Sequence, residues 1–113
     1  MTKDPLVHFL HIRDAIAKIE QFTVGGRRAF LKTPMIQDGV ILNLALIGEA
    51  VKNIPKSMTA KYPEIAWSDA AKMRDILIHH YDGTDVLIVW DTVKRYLPPL
   101  KKVVTRVLKA KAA

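Results

Sequence analysis

Apolar residues recur every three or four positions in four separate segments of this 113-residue chain, and this helical period limits the fold more than any other feature. No segment keeps the two-residue alternation of a half-buried strand. The segments are bounded by residues that start or stop helices, namely Asp4-Pro5, Gly25-Gly26, Thr33-Pro34 and Tyr81-Asp82-Gly83. The pattern predicts an all-α fold, a mainly antiparallel four-helix bundle that forms one domain over residues 1–113.

The first two helices have matching start signals. Asp4 and Thr33 are predicted N-caps, and each is followed by a proline, which suits the first helical position. The second helix is apolar around most of its circumference, with Met35, Ile36, Val40, Ile41, Leu44, Leu46, Ile47 and Val51. Such a helix should be buried on several sides, as in a bundle that also has a subunit interface. The segment around Pro55 and Pro63 is predicted to be a loop.

The last two helices follow this loop. Ser68 is the predicted cap of a third helix that ends at about His80. The fourth helix should open at Thr84 or Asp85. Pro98-Pro99 should kink or interrupt it, because proline lacks an amide donor and crowds the preceding turn. The basic end, from about residue 109 to residue 113, should fray.

Cysteine usage and hydropathy give an expected location. The chain has no cysteine, which excludes disulfides and thiolate metal sites and suits a reducing cytoplasm. Charges interrupt the stretch MTKDPLVHFLHIRDAI too often for a signal peptide. No uninterrupted apolar run approaches the length of a membrane-spanning helix. We expect a soluble, cytoplasmic protein that does not enter a membrane.

The formal net charge of +7 comes from the end of the chain. Residues 1–91 carry 11 basic and 11 acidic side chains, so the excess is the set of seven lysines and arginines after Asp91. Lys101, Lys102 and Arg106 belong to this basic strip, which could attract RNA phosphates over about 10 Å. A solvated helix face that keeps the protein soluble is the alternative interpretation.

The stretch MRDILIHHYDGTD, Met73 to Asp85, places an arginine, two histidines and a tyrosine near the end of the third helix. In metal-free RNA cleavage, histidine can take the proton of a ribose 2′-hydroxyl, and arginine can meet the charge that gathers on the phosphate oxygens. Arg74 and His79 are candidates for these roles. Asp75, four residues before His79, could orient its imidazole. On spacing alone, an ordinary helix end with a dipole-stabilised histidine is the favoured interpretation of the stretch.

Helix geometry makes cooperation between Arg74 and His79 difficult within one straight helix. The two positions differ by about 140° around the axis and about 7.5 Å along it. Fraying of the helix end could re-aim His79, or a two-fold dimer could bring Arg74 of one subunit near His79 of the other. His80 falls on the apolar stripe of Met73, Ile76 and Leu77, so it is the weaker candidate for a base.

Several other polar and aromatic residues admit structural interpretations. His8 and His11 could share a metal ion, but no third ligand has a suitable spacing. Glu49 could be a general base, or it could anchor helix packing or a partner. The remaining aromatic candidates are Trp67 and Trp90, which we expect in the core, and Tyr62 and Tyr96, which are weaker modification candidates than Tyr81.

The stretch MRDILIHHYDGTDVLIVWDTVKRYLPPL, preceded by NLALIGEAVKNIP and YPEIAW, resembles HepT, the HEPN-domain ribonuclease toxin of MntA–HepT toxin–antitoxin modules. The resemblance runs from about Phe30 to Leu100. Its most specific element is R-x4-H-x-Y, here Arg74, His79 and Tyr81, with the polar Asp75 after the arginine. The sequences IGEA and VWDTV lie at the expected distances on either side.

This resemblance implies more than the residues alone. HepT-like proteins are helical-bundle homodimers with paired R-x4-H motifs in a cleft at the dimer interface. They are endoribonucleases that need no metal or other cofactor, and tRNA is among the targets of the family. Their partner, the minimal nucleotidyltransferase MntA, transfers AMP to the motif tyrosine, which corresponds to Tyr81. A bulky anion beside the cleft would block RNA by sterics and by charge repulsion.

Two alternatives remain open at this point. The chain could be a non-catalytic helical dimer that binds a nucleotidyltransferase partner or RNA, in which case His79 would be dispensable for binding. It could also be a generic basic RNA-binding bundle that depends on the lysines between Lys101 and Lys111.

Overall fold

The computed structural model describes residues 4–79 and 85–112, with side chains except at 75–79 and 112. These residues form helices and turns, and no strand occurs among them, which confirms the predicted all-α class. The elements are α1 (Leu6–Phe22), α2 (Gly26–Lys32), α3 (Pro34–Lys52), α4 (Lys56–Thr59), α5 (Trp67–His79) and α6 (Val86–Ala112). The predicted turn at 81–83 lies outside the described residues.

Three of the predicted helix starts agree with the structure. The carboxylate of Asp4 accepts a hydrogen bond from the amide of Leu6 at 3.0 Å, so it satisfies a backbone donor of the first turn. Asp85 does the same for Leu87 at 2.9 Å. Helix α3 begins at Pro34, although the Thr33 side chain makes no cap hydrogen bond.

The prediction that Ser68 caps the third helix is wrong. Helix α5 begins at Trp67, and the amides of Asp69 and Ala70 already bond to the carbonyl oxygen of Ala66. Ser68 therefore lies within the first turn. The indole of Trp67 donates to the carbonyl of Tyr62 at 2.9 Å, which ties the start of the helix to the preceding loop.

Two short helices lie where the sequence predicted only connections. Helix α2 begins at Gly26, whose φ of +86° suits a residue without a side chain. It carries Phe30, which is fully buried and packs against Trp90 with ring centroids 5.2 Å apart. Helix α4 occupies four residues of the loop after Pro55. Both depend on tertiary contacts, because isolated helices of this length are unstable.

The predicted interruption of the fourth helix at Pro98-Pro99 is wrong. Helix α6 continues from Val86 through both prolines to Ala112. Both prolines are exposed, so water can reach the carbonyls that lose their amide partners. Leu97 and Leu100, on either side of them, are buried. Packing of these leucines holds the helix together across the two missing hydrogen bonds.

Helix α3 packs against α1 on one side and α5 on the other, and α6 packs on α1 and α2. The common core includes Phe9, Ile12 and Ile19 of α1, Leu44 of α3 and Leu100 of α6. Within the described part of the chain, α3 is the one helix that could cross a membrane by length and composition alone. Core helices pass the same test, and about half of α3 is buried by its neighbours.

Candidate functional site

Helix α5 presents Arg74 to helix α3 at a point of very close approach. A Cβ atom added at Gly48 of α3 would lie 2.6 Å from the Cβ of Arg74 and 2.7 Å from the carbonyl oxygen of Ala70. Ala70 itself is buried. The two helices can therefore approach this closely only because residue 48 has no side chain.

The side chain next to Gly48 holds the guanidinium of Arg74. Glu49 Oε2 lies 3.1 Å from Arg74 Nε, and about a third of the Arg74 side chain and half of the Glu49 side chain are exposed. The pair thus lies at the surface of the monomer. This contact was missed at the sequence level, where Glu49 was considered only as a base or an anchor. Glu49 and Arg74 lie in different helices, so their separation in the sequence does not predict the ion pair.

The other predicted catalytic residues are described less completely. Asp75 and His79 lie in α5, but their side chains are outside the described residues, and so are His80 and Tyr81. The backbone of α5 is helical through His79. Positions 74 and 79 are thus separated by about 140° around one helix axis, as an unbroken helix requires.

A groove of about 450 Å³ lies between α1 and α3, and Glu49 of the Arg74–Glu49 pair is one of its lining residues. Its lining includes His8, His11 and Lys18 of α1, and Asn43 and Glu49 of α3. Asn43 is buried, and its Oδ1 atom has no hydrogen-bond partner within the described residues. Glu49 therefore faces both the groove and the guanidinium of Arg74. The described residues hold no cluster of three or more His, Asp or Glu side chains suited to a metal ion.

The basic strip at the carboxyl end is partly engaged by acidic side chains from elsewhere in the fold. Lys101 Nζ lies 2.7 Å from Glu20 Oε2, and Arg106 Nη2 lies 2.6 Å from Glu64 Oε2. The hydrogen bond from Arg106 lowers the pKa of Glu64. Lys102 is exposed beside them. Contact of Lys101, Lys102 and Arg106 with RNA stays a prediction.

The two tyrosines outside the motif have structural surroundings. The Tyr96 hydroxyl donates to the carbonyl oxygen of Ala66 at 3.3 Å, and burial raises its pKa. The ring of Tyr62 lies 5.8 Å from the guanidinium carbon of Arg106. Tyr62 and Tyr96 therefore both contribute to packing, and their weaker rank as modification candidates stays a prediction. Tyr81 is outside the described residues.

Known proteins resemble this chain over most of its length. Its residues 12–107 match the model of a family described as "Ribonuclease HepT-like". A "Probable ribonuclease HepT" of Thermococcus cleftensis is 47% identical over 94 residues, covering 80% of this chain and 83% of the relative. A "Putative RNase" of Caldanaerobacter subterraneus subsp. tengcongensis is 40% identical over 79 residues, covering 70% of each chain.

A longer relative extends the similarity to nearly the whole chain. A protein of Methanocaldococcus jannaschii named "Gamma-glutamylcyclotransferase and putative RNase" is 38% identical over 109 residues, which is 96% of this chain. The present chain spans about half of that relative's length (49%). No solved structure matches this chain. Because the family model covers residues 12–107, this chain belongs to the HepT-like ribonuclease family, whose members are HEPN ribonucleases.

Proposed function

We propose that this protein is a metal-independent endoribonuclease toxin of a type VII toxin–antitoxin module. In this proposal it acts in the cytoplasm as a homodimer of antiparallel four-helix bundles and cleaves RNA, with tRNA as one substrate class. Arg74, Asp75 and His79 form the catalytic group at a cleft between the subunits. An MntA-like minimal nucleotidyltransferase neutralises the protein by transferring AMP to Tyr81.

The observation that carries this proposal is the partly exposed Arg74 side chain, which Glu49 anchors on the helix that also contains Asp75 and His79. An arginine held at the surface offers paired donors to phosphate oxygens. Membership of the HepT-like ribonuclease family supports RNA as the substrate.

The chemistry requires two proton transfers and no redox step. His79 takes the proton of a ribose 2′-hydroxyl as its oxygen bonds to the neighbouring phosphorus. Arg74 stabilises the negative charge that develops on the non-bridging oxygens. The bond from phosphorus to the 5′-oxygen breaks, and that oxygen receives a proton from a second acid or from water. The products are a 2′,3′-cyclic phosphate and a 5′-hydroxyl.

A dimer is supported by an exposed apolar face on α3. Met35, Leu42 and Leu46 are 79%, 60% and 49% exposed, and they lie on one face of the helix at spacings of seven and four residues. Glu49, three residues after Leu46, continues this face and contacts Arg74. A two-fold axis here would place both Arg74 side chains near the subunit interface. Arg74 of one subunit could then act together with His79 of the other.

A nuclease assay with EDTA present tests the activity. Wild type should cleave tRNA, and His79→Ala and Arg74→Ala should each lower the rate by about 100-fold or more. Arg13→Ala is the matched control for charge, because Arg13 of α1 is 58% exposed and pairs with the adjacent Asp14. Thermal unfolding should show that all variants fold. Cleavage that survives in both His79→Ala and Arg74→Ala would refute the catalytic assignment.

The AMP transfer has its own test. Wild type treated with an MntA-like nucleotidyltransferase and ATP should gain the mass of AMP and lose nuclease activity. Peptide mapping should place the added mass on Tyr81, and Tyr81→Phe should stay active after the same treatment. Modification at Tyr62 or Tyr96 instead would contradict the assignment.

A further inference from the structure

The Arg74–Glu49 contact joins two helices at the point where they come closest. Gly48 removes the side chain that would collide with Arg74 and with the backbone at Ala70. The next residue, Glu49, then reaches Nε of Arg74 at 3.1 Å. The adjacent pair Gly48-Glu49 thus controls both the distance of α5 from α3 and the direction of the guanidinium.

This ion pair has little to contribute to folding. Half of the Glu49 side chain and about a third of the Arg74 side chain are exposed, and ion pairs this accessible to water add little to the free energy of folding. The ion pair can contribute much more to the conformational order of the Arg74 side chain. An arginine side chain loses considerable rotamer entropy when it must adopt a single geometry, and a carboxylate on Nε removes most of that freedom before a ligand arrives.

We propose that Glu49 is a positioning residue for RNA cleavage, which fixes the plane of the Arg74 guanidinium so that its terminal amino groups meet the scissile phosphate. Glu49 acts through Arg74 and does not itself take part in proton transfer. The inference rests on the proposed ribonuclease function and assigns a role to a residue outside the R-x4-H motif.

The charge of Glu49 gives this role a kinetic signature. A carboxylate close to the bound phosphate repels RNA in the ground state, while the orientation that it imposes on Arg74 helps the transition state. Removing the charge should therefore lower kcat without raising KM. A residue that served only to bind RNA would raise KM, and a residue that served only folding would lower the melting temperature.

Two substitutions separate orientation from charge. Glu49→Ala removes the acceptor and should lower kcat by about 10- to 100-fold, the scale expected when a catalytic group is misplaced by about 1 Å. Glu49→Gln keeps an acceptor oxygen at similar reach. Its loss in log kcat should therefore be at least a third smaller than the loss in Glu49→Ala. Both should bind a 2′-O-methylated RNA oligonucleotide, which cannot be cleaved, about threefold more tightly than wild type.

Asp91→Asn is the matched control, because it removes the same charge from a carboxylate of similar exposure on α6, 56% for Asp91 against 50% for Glu49. Asp91 pairs with Arg95 at 2.9 Å, within one helix, so kcat should stay within about twofold of wild type. A fall in kcat for Asp91→Asn equal to that of Glu49→Ala would show that loss of charge alone explains the effect, and would overturn the proposal.

A second measurement does not depend on activity. The Nε–H resonance of Arg74 in ¹⁵N NMR spectra, assigned with Arg74→Lys, should be protected from solvent exchange in wild type and exchange-broadened in Glu49→Ala. An unchanged resonance would overturn the positioning role. Complete loss of cleavage in Glu49→Gln with the resonance intact would also overturn it, since that result indicates a general base.

The outcomes separate this inference from the proposed function. If wild type does not cleave RNA, the ribonuclease proposal fails, whatever the NMR result. If wild type cleaves RNA and Glu49→Ala cleaves at the same rate, only the positioning role fails.

Discussion

Arg74 and Tyr96 each contact a residue that is distant in the sequence, and the position of that contact indicates what each residue does. Arg74 is held by Glu49 of another helix, and about a third of its side chain is exposed. Tyr96 points its hydroxyl at the carbonyl of Ala66 and is half-buried, so it serves the packing of α6 beside the start of α5. The functional groups of these residues were evident from the sequence, but their partners, 25 and 30 residues away, were not.

The environment of Tyr96 predicts an alkaline loss of stability. Its folded-state pKa is raised by burial and by the nearby charge of Asp69, so its contribution is complete below the unfolded pKa of about 10 and is lost as the pH rises further. The Tyr96→Phe variant should therefore lose less stability than wild type between pH 8 and pH 11. Urea unfolding at both pH values measures this difference. Equal losses in the two proteins would contradict the prediction.

At the scale of the elements, two glycines of α3 are expected to respond differently to alanine. A Cβ at Gly48 meets the backbone oxygen of Ala70 at 2.7 Å, and backbone cannot move aside easily. The three atoms nearest to a Cβ at Gly39 all belong to the ring of Phe22, and this side chain is 38% exposed and can rotate away. The same substitution thus tests a helix contact at one position and a surface side chain at the other.

Gly48→Ala should lower the free energy of unfolding by about 1–3 kcal/mol, because overpacking at the α3–α5 contact outweighs the better helix propensity of alanine. Gly39→Ala should be neutral or raise it by up to about 1 kcal/mol. Chemical denaturation of both variants measures the difference. A Gly48→Ala protein as stable as Gly39→Ala would show that α5 can move away from α3 without lowering the free energy of unfolding.

The prolines of α6 give a second prediction at this scale. Pro99→Ala restores an amide donor for the carbonyl of Arg95 in an exposed turn, so it should raise the free energy of unfolding by about 1–2 kcal/mol. Thr105→Ala, at another exposed position of α6, is the control and should change it by no more than about 0.5 kcal/mol. Destabilisation by Pro99→Ala would indicate that the proline conformation is itself needed.

At the scale of the whole molecule, the apolar face of α3 connects the proposed dimer with the proposed site. Leu42 and Leu46 are exposed on the monomer although neighbouring residues of the helix are buried. Exposed leucines on the helix that also carries Glu49 are what a subunit interface would leave on an isolated chain. The dimer would also overcome the angular separation of positions 74 and 79 in α5.

Leu46→Glu should convert the protein from dimer to monomer and lower RNA cleavage in parallel, because a charge buried at the centre of an interface is strongly unfavourable. Val24→Glu is the control, since Val24 is 88% exposed in the turn between α1 and α2 and is not part of α3. Size-exclusion chromatography with light scattering measures the mass of each variant. A Leu46→Glu protein that remains dimeric would place the interface elsewhere.

Much of the helical architecture was predictable because its signals are local. Asp4, Pro34 and Asp85 mark helix starts through hydrogen bonds and torsion angles within a few residues. Helix α2 was missed because only the burial of Phe30 against distant side chains stabilises so short a helix. The continuous path of α6 through Pro98 and Pro99 was missed for the same reason, since it depends on the packing of Leu97 and Leu100.

The sequence by itself determined the all-α class, the main helix starts and the family. The reason is that periodicity, capping residues and the R-x4-H-x-Y motif are defined by residues close together in the sequence. Only the tertiary structure decided that Gly48 admits α5 and that Glu49 holds Arg74. It also decided that Lys101 and Arg106 meet Glu20 and Glu64. The physical reason is that these contacts join separate elements, and their distances depend on how whole helices pack rather than on any local spacing.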